Sequence, residues 1–305
     1  MGQFISKATK KKTRIIEPTQ CIPNRYESMN DLTKALRDAG LEKCNLLVAI
    51  DFTKSNTWQG EKTFGGKCLH DLGTTYEIAE GAPGGDIKEE KQIDNPYQQV
   101  LKTAAAPLNE FDEDKRIPTC IFGHARDHNA DYVCEIYDSP HSPDRKKGCH
   151  GLEGVLAAYE NAVHEYNFSG GTLFSPVLHW AQRKVEDSGN EYHILIILGD
   201  GNLDEKDMRE TQIVLSNSSK RCPLSIIFVG VGDGSDPKNE QDKWERMRIL
   251  DDCPTGPFDI WQSVYLANIQ AQLQKSPHPD VELATLMLME IPDQYKYFQS
   301  RRLIG

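Results

Sequence analysis

Leu46-Leu47-Val48-Ala49-Ile50-Asp51-Phe52-Thr53-Lys54-Ser55 carries an unbroken apolar run that ends on a carboxylate and two hydroxyls. Five apolar residues without alternation predict a strand buried on both faces, the mark of a parallel sheet. Similar runs are expected to form strands at Ile117 to Phe122, Tyr192 to Leu198 and Leu224 to Val229, with a weaker one at Phe258 to Val264. Helical patterns surround them at Tyr26 to Leu41, Pro96 to Asn109, Gly151 to Tyr166, Ser175 to Glu186, Glu205 to Ser218 and Lys243 to Leu250. A last helix, interrupted by Pro277 and Pro279, is expected from Leu266 to Met289. Strands alternating with helices imply one α/β domain: a doubly wound, mostly parallel central sheet with helices on both faces. This domain is expected to fill residues 26–305, after a basic flexible tail at 1–25. Gly73 to Asp94, with four glycines and six acidic residues, is expected to be an exposed loop.

Asp51, Thr53 and Ser55 follow the first strand, Thr172 lies in Ser169-Gly170-Gly171-Thr172, and Asp200 follows the run His193 to Gly199. Open α/β sheets gather their ligand groups at such strand ends. Every candidate ligand atom is an oxygen, which suits a hard divalent cation, Mg²⁺ first, with Mn²⁺ or Ca²⁺ as alternatives. A site with few direct charges stays electrophilic and leaves a position open for a carboxylate from a protein partner. The plainer alternative is a metal that only steadies the loops.

At this point the chain resembles the von Willebrand factor A domains, whose metal-ion-dependent adhesion site reads D-x-[ST]-x-S, then a distant Thr, then a distant Asp. More closely it resembles the copine-type A domain and the similar domain of plant RING ubiquitin ligases. The resembling residues are Val48 to Asn56, Asn95 to Val100, Phe111 to Lys115, Gly171 to Pro176, Leu224 to Gly232 and Met289 to Tyr295. The resemblance implies a Rossmann-like three-layer sandwich and a binding function without catalysis. It also implies that Ser55 and Thr172 coordinate directly, Thr53 directly or nearly so, and Asp51 and Asp200 directly or through water. Copines place two C2 domains before this domain and the plant ligases place a RING after it; neither is expected here, so intrinsic ligase activity is not expected either.

Met1-Gly2-Gln3-Phe4-Ile5-Ser6 fits the pattern for N-myristoylation at Gly2. Lys7, Lys10, Lys11, Lys12 and Arg14 follow, with no acidic residue in the first sixteen positions. A single myristoyl chain binds membrane marginally, and a polybasic flank is the second signal that makes anchoring stable. The whole chain carries a net charge of -11, so the remainder beyond those five cations carries -16. Together these features predict a cytoplasmic protein held peripherally on an anionic membrane surface, most simply the plasma membrane. The acidic balance argues against a nucleic-acid partner.

Competing motifs are weaker. Gly199-Asp200-Gly201-Asn202-Leu203-Asp204 resembles the G-D-G-x-x-D of haloacid-dehalogenase-type phosphatases, which would make Asp51 a Mg²⁺-assisted nucleophile. That family's general acid belongs at position 53, where this chain has Thr. Gly230-Val231-Gly232-Asp233-Gly234 lacks a full dinucleotide pattern and reads as a turn. Cys134, His141, Cys149 and His150 match no standard zinc spacing, and His124 with His128 lacks the Glu of a zinc-protease helix. Eight cysteines without a C-x-x-C pair are expected to be free thiols in a reducing compartment.

Overall fold

A computed structural model describes residues 26–78, 87–92, 94–108, 110–125, 133–141, 143–201, 203–234, 242, 244–252 and 256–304. The sequence-derived tail, including Gly2, Lys7, Lys10, Lys11, Lys12 and Arg14, lies outside these residues, as does His128. The central sheet is built from β1 (Asn45–Asp51), β4 (Thr119–Phe122), β5 (Val133–Ile136), β6 (His193–Gly199), β7 (Leu224–Gly230) and β8 (Trp261–Tyr265). Its order is β8-β7-β6-β1-β4-β5, with β5 alone antiparallel to its neighbour. β2 (Thr74–Ile78) and β3 (Ile87–Gln92) pair antiparallel outside this sheet.

The long apolar runs form the sheet because nothing else could bury them. Leu46 to Ile50 are fully buried, and Ile194 to Leu198 are at most 1% exposed, so both faces of these strands are covered. The covering helices are α1 (Met29–Asp38), α2 (Pro96–Leu108), α3 (Gly151–Glu165), α4 (Ser175–Asp187), α5 (Glu205–Arg221), α6 (Glu245–Asp252), α7 (Leu266–Leu273), α8 (Pro279–Leu288) and α9 (Ile291–Ser300). α1, α2 and α8 pack on one another, and α4 packs on α5. The result is the expected doubly wound three-layer α/β sandwich. Among the described residues, no helix is long and apolar enough to cross a membrane.

Several expectations need correction. Gly73 to Asp94 is not simply a loop: its β-branched and aromatic stretch at Thr74 to Ile78 pairs with a polar strand at Ile87 to Gln92. The strand expected from Ile117 to Phe122 is divided at Pro118, which has no N–H to continue a ladder. Arg116 and Ile117 instead pair with His150 and Cys149, and Thr119 begins the sheet strand. The last helix, by contrast, is interrupted as expected: it stops at Leu273 and resumes at Pro279, whose fixed φ suits a first turn. Strand β5 and helix α9 were not anticipated.

Asp112 is fully buried in the Phe111 to Lys115 stretch, and burial, then the charge of Asp114, pushes its carboxyl up to about 7. An unfolded Asp titrates near ~4, so the folded value is the higher one. Asp112 therefore favours the folded state fully below pH ~4, and that contribution disappears as pH rises through about 7. Asp112→Asn is expected to flatten the fall in stability across this window, as measured by urea denaturation at a series of pH values.

Candidate metal centre

Parallel pairing sets Ile50 opposite Leu198, so Asp51 at the end of β1 and Asp200 just past β6 emerge side by side. β1 also marks the point where the chain moves to neighbours on either side, a position that opens a crevice at the carboxyl ends of the strands. Beyond Asp51 the chain turns into a short 3₁₀ helix, Lys54–Thr57. That turn returns the Thr53 N–H to Asp51 Oδ1 at 2.7 Å and sets Thr53 Oγ1 3.1 Å from Ser55 Oγ. The Asp200 backbone N–H also donates to the Asp51 carboxylate.

Thr172 joins from a third loop. Its Oγ1 donates to the Gly201 carbonyl at 3.2 Å, the Asp204 N–H donates to the Thr172 carbonyl at 3.1 Å, and Thr172 bridges to Leu203. The five oxygen-bearing residues expected from sequence thus stand on three linked loops. Asp51 and Asp200 are fully buried, Thr53 and Thr172 nearly so, and of the five Ser55 alone is partly exposed. The approach to the cluster runs past Ser55.

Burial, and then the charge of Asp200, raises the Asp51 carboxyl well above the ordinary carboxylate range, against the opposing pull of the Thr53 hydrogen bonds. Asp51 Oδ2 is buried without a side-chain donor. Two like charges taken out of water are costly unless an opposite charge stands between them. A hard divalent cation meets that need, and carboxylate and hydroxyl oxygens are its preferred donors. Among the described residues no group of three or more His, Cys, Asp and Glu side chains is placed to hold a metal, so a coordination sphere here would have to be completed by the hydroxyls of Thr53, Ser55 and Thr172. The residues fit Mg²⁺.

Close backbone approach makes the cluster compact. Gly123 has φ 73°, and a Cβ there would lie 2.3 Å from Thr53 Cγ2. A Cβ on Gly199 would lie 3.1 Å from Asp51 Oδ2. Side chains at either position would push the first loop away from the strand ends.

Beneath the first loop lies a polar network set among aromatic rings. His70 is stacked between Tyr97 and Phe168, at centroid distances of 4.1 and 4.8 Å. Its Nε2 is 2.8 Å from the Asp51 carbonyl, which can only accept, so Nε2 carries the proton and Nδ1 accepts from Tyr159 Oη at 2.8 Å. Tyr159 Oη in turn accepts from Asn95 Nδ2 at 3.0 Å. Burial pushes the His70 imidazole down to about 3, which keeps it neutral in this role. A second chain runs from Tyr97 Oη to Asn56 Oδ1 at 2.5 Å, and Asn56 Nδ2 donates to the Thr53 carbonyl at 3.1 Å. Sequence reasoning did not find His70 or Tyr159, and Asn56 entered only as the end of the resembling stretch Val48 to Asn56. Asn95 to Val100 carried a family signal without a role, and the structure supplies one.

Other sequence motifs are used elsewhere. Asp204 caps α5 by accepting from the Lys206 N–H at 2.8 Å. Gly232, at φ 88°, lies where a Cβ would meet the Gln59 carbonyl at 2.9 Å, and Asp233 accepts from the Lys62 and Thr63 N–H groups at 2.9 and 2.8 Å. Gly230 to Gly234 is thus a structural turn. Cys134 Sγ lies 3.5 Å from Tyr166 Oη, while Cys149 Sγ is buried 3.6 Å from the Ile136 carbonyl.

The family model for Copine matches residues 87–305. The chain is 35% identical over 309 residues to the E3 ubiquitin-protein ligase RGLG4 of Arabidopsis thaliana, covering 98% of this chain and 67% of that protein. It is 35% identical to RGLG2 of the same plant, covering 96% of this chain but 58% of the relative. It is 34% identical to Copine family protein 2 of Caenorhabditis elegans, covering 89% of this chain and 3% of that protein. Among solved structures, a von Willebrand factor type A protein from Catenulispora acidiphila aligns with 12% identity and a TM-score of 0.36, covering 84% of this chain and 43% of that one. A likeness at that level carries no weight.

Tyr97→Phe removes the donor to Asn56 while keeping the ring stacked on His70. It leaves a buried acceptor unsatisfied, so a loss of about 1–3 kcal/mol is expected in chemical denaturation.

Proposed function

The chain belongs to the copine family, and within it we propose a divalent-metal-dependent protein-binding module held at a membrane surface. The observation that carries this reading is the convergence of two buried carboxylates, Asp51 and Asp200, with the hydroxyls of Thr53, Ser55 and Thr172. These residues would hold Mg²⁺, which when bound supplies an electrophilic position for a carboxylate from a protein partner. Ser55 faces the open side, and the buried members fix the cradle from below. The module works by binding, because no general acid or base is needed to exchange one oxygen ligand for another. Relatives named as ubiquitin ligases extend well beyond the span shared with this chain, so their activity is not carried over. Membrane attachment is proposed through a lipid on Gly2 together with Lys7, Lys10, Lys11, Lys12 and Arg14.

The phosphohydrolase alternative lacks support. The family is a different one, Thr53 stands where a general acid is needed, and Asp204 is committed to capping α5.

Mg²⁺ is expected to raise the thermal midpoint of the wild type, by the equivalent of about 2.7 kcal/mol at a hundredfold excess over its Kd. Asp51→Asn is expected to be more stable than the wild type without metal, because a buried like-charge contact is relieved, and to gain nothing from Mg²⁺. Differential scanning calorimetry with and without EDTA checks both; an equal Mg²⁺ response in the two proteins would overturn the metal assignment. Ser55→Ala and Thr172→Ala are expected to abolish Mg²⁺-dependent partner capture in proximity labelling while the fold persists. Gly2→Ala is expected to move the protein from the membrane to the soluble fraction, and an unchanged distribution would refute anchoring.

A further inference from the structure

Three of the four tryptophans, Trp180, Trp244 and Trp261, are at most 3% exposed. The fourth, Trp58, is 42% exposed and stands one turn past Ser55, its N–H donating to the Ser55 carbonyl at 3.0 Å. Single exposed aliphatic residues are ordinary, as with Ile213 and Ile249 on outer helices. A large aromatic ring exposed beside a binding site differs, because Trp is the residue most enriched among interface anchors.

The loop that presents Trp58 is firmly built. The Gln59 carbonyl accepts from the Asp233 N–H at 2.8 Å, and the Asp233 carboxylate accepts from Thr63 Oγ1 at 2.7 Å as well as from the backbone. The Gly60 carbonyl accepts from the Phe64 and Gly66 N–H groups at 3.0 and 2.9 Å, and the Leu69 N–H donates to the Asn56 carbonyl at 3.0 Å. An anchor held this way loses little entropy when it is covered. The loop's charge also stands out. Residues 54–67 contain Lys54, Lys62 and Lys67 against the single acid Glu61, in a chain whose net charge is -11. Lys54 and Lys62 are exposed, and Lys67 lies 3.6 Å from Asp71.

We infer that Trp58 and the flanking Lys54 and Lys62 form the docking rim of the metal site, and that the rim selects an acidic peptide segment whose coordinating Asp or Glu is flanked by a large apolar residue. The carboxylate goes to the metal, the apolar neighbour covers the indole, and further acidic residues match the lysines. This rests on the metal-dependent reading above and adds the partner's chemistry to it.

Phage-displayed random peptides selected on the purified full chain in Mg²⁺, with EDTA elution, test it. Winners are expected to pair Asp or Glu with a neighbouring Leu, Ile, Met or aromatic residue. A synthetic winner is expected to bind Trp58→Ala at least about tenfold more weakly than wild type and Trp58→Phe within a few fold. The Mg²⁺ affinity and thermal midpoint of the variants should stay unchanged. Lys54→Glu with Lys62→Glu should weaken the same peptide and reduce its salt dependence. Mg²⁺-dependent winners with no flanking preference, or equal binding by Trp58→Ala, would overturn the docking rim and leave the metal reading standing. The absence of any Mg²⁺-dependent winner would overturn both.

Discussion

Two carboxylates buried at the ends of adjacent parallel strands set the terms for this fold. The register between β1 and β6 brings Asp51 and Asp200 out together, and neither is exposed to water. A sheet selected only for stability would place apolar or hydrogen-bonded groups there, because paired like charges in low dielectric oppose folding. Their presence is a local conflict within an otherwise consistent core, and such conflicts concentrate at functional sites. The glycines beside Asp51 and Thr53 accommodate the same constraint from the backbone side.

The groups around the carboxylates fall into two mechanical classes. Below the site, His70, Tyr97, Tyr159 and Asn56 are neutral and buried, and their hydrogen bonds run in one direction into the first-loop carbonyls. They hold the loop without adding charge, so the electrostatic character of the site remains that of its own ligands. Above it, the loop around Trp58 is anchored through Asp233 and carries its exposed groups outward. A rigid base and a fixed rim leave little to reorganise on binding, which favours affinity from preorganisation over induced fit.

The parts legible in the sequence were those set by local pattern. Apolar runs too long for a half-exposed strand gave β1, β6 and β7, and the carboxylates at the ends of β1 and β6, with the hydroxyls of Thr53, Ser55 and Thr172, gave the candidate site. What escaped depends on tertiary context. Val133 to Ile136 is too short to show a period and becomes a strand because it lies along Thr119 to Phe122. The strand Ile87 to Gln92 is mostly charged and forms through pairing with Thr74 to Ile78. His70 has no flanking signal at all: its role comes from two rings and a carbonyl supplied by distant segments. Asn95 to Val100 was noticed through resemblance alone: Asn95 and Gln98 cap their own helix, with the Gln98 N–H donating to Asn95 Oδ1 and the Asn95 N–H to Gln98 Oε1, both at 2.9 Å, while Asn95 Nδ2 and Tyr97 Oη act across the fold.

The reversed strand β5 has a consequence for assembly. It forms one border of the main sheet and, among the described residues, contributes four, of which Glu135 is held by Lys184 at 2.6 Å, Trp180 at 2.9 Å and Tyr137 at 2.9 Å. A long apolar border would offer its free N–H and carbonyl groups to another chain. A brief one with a tethered acid is a poor template for lateral growth, which guards against fibrillar self-pairing.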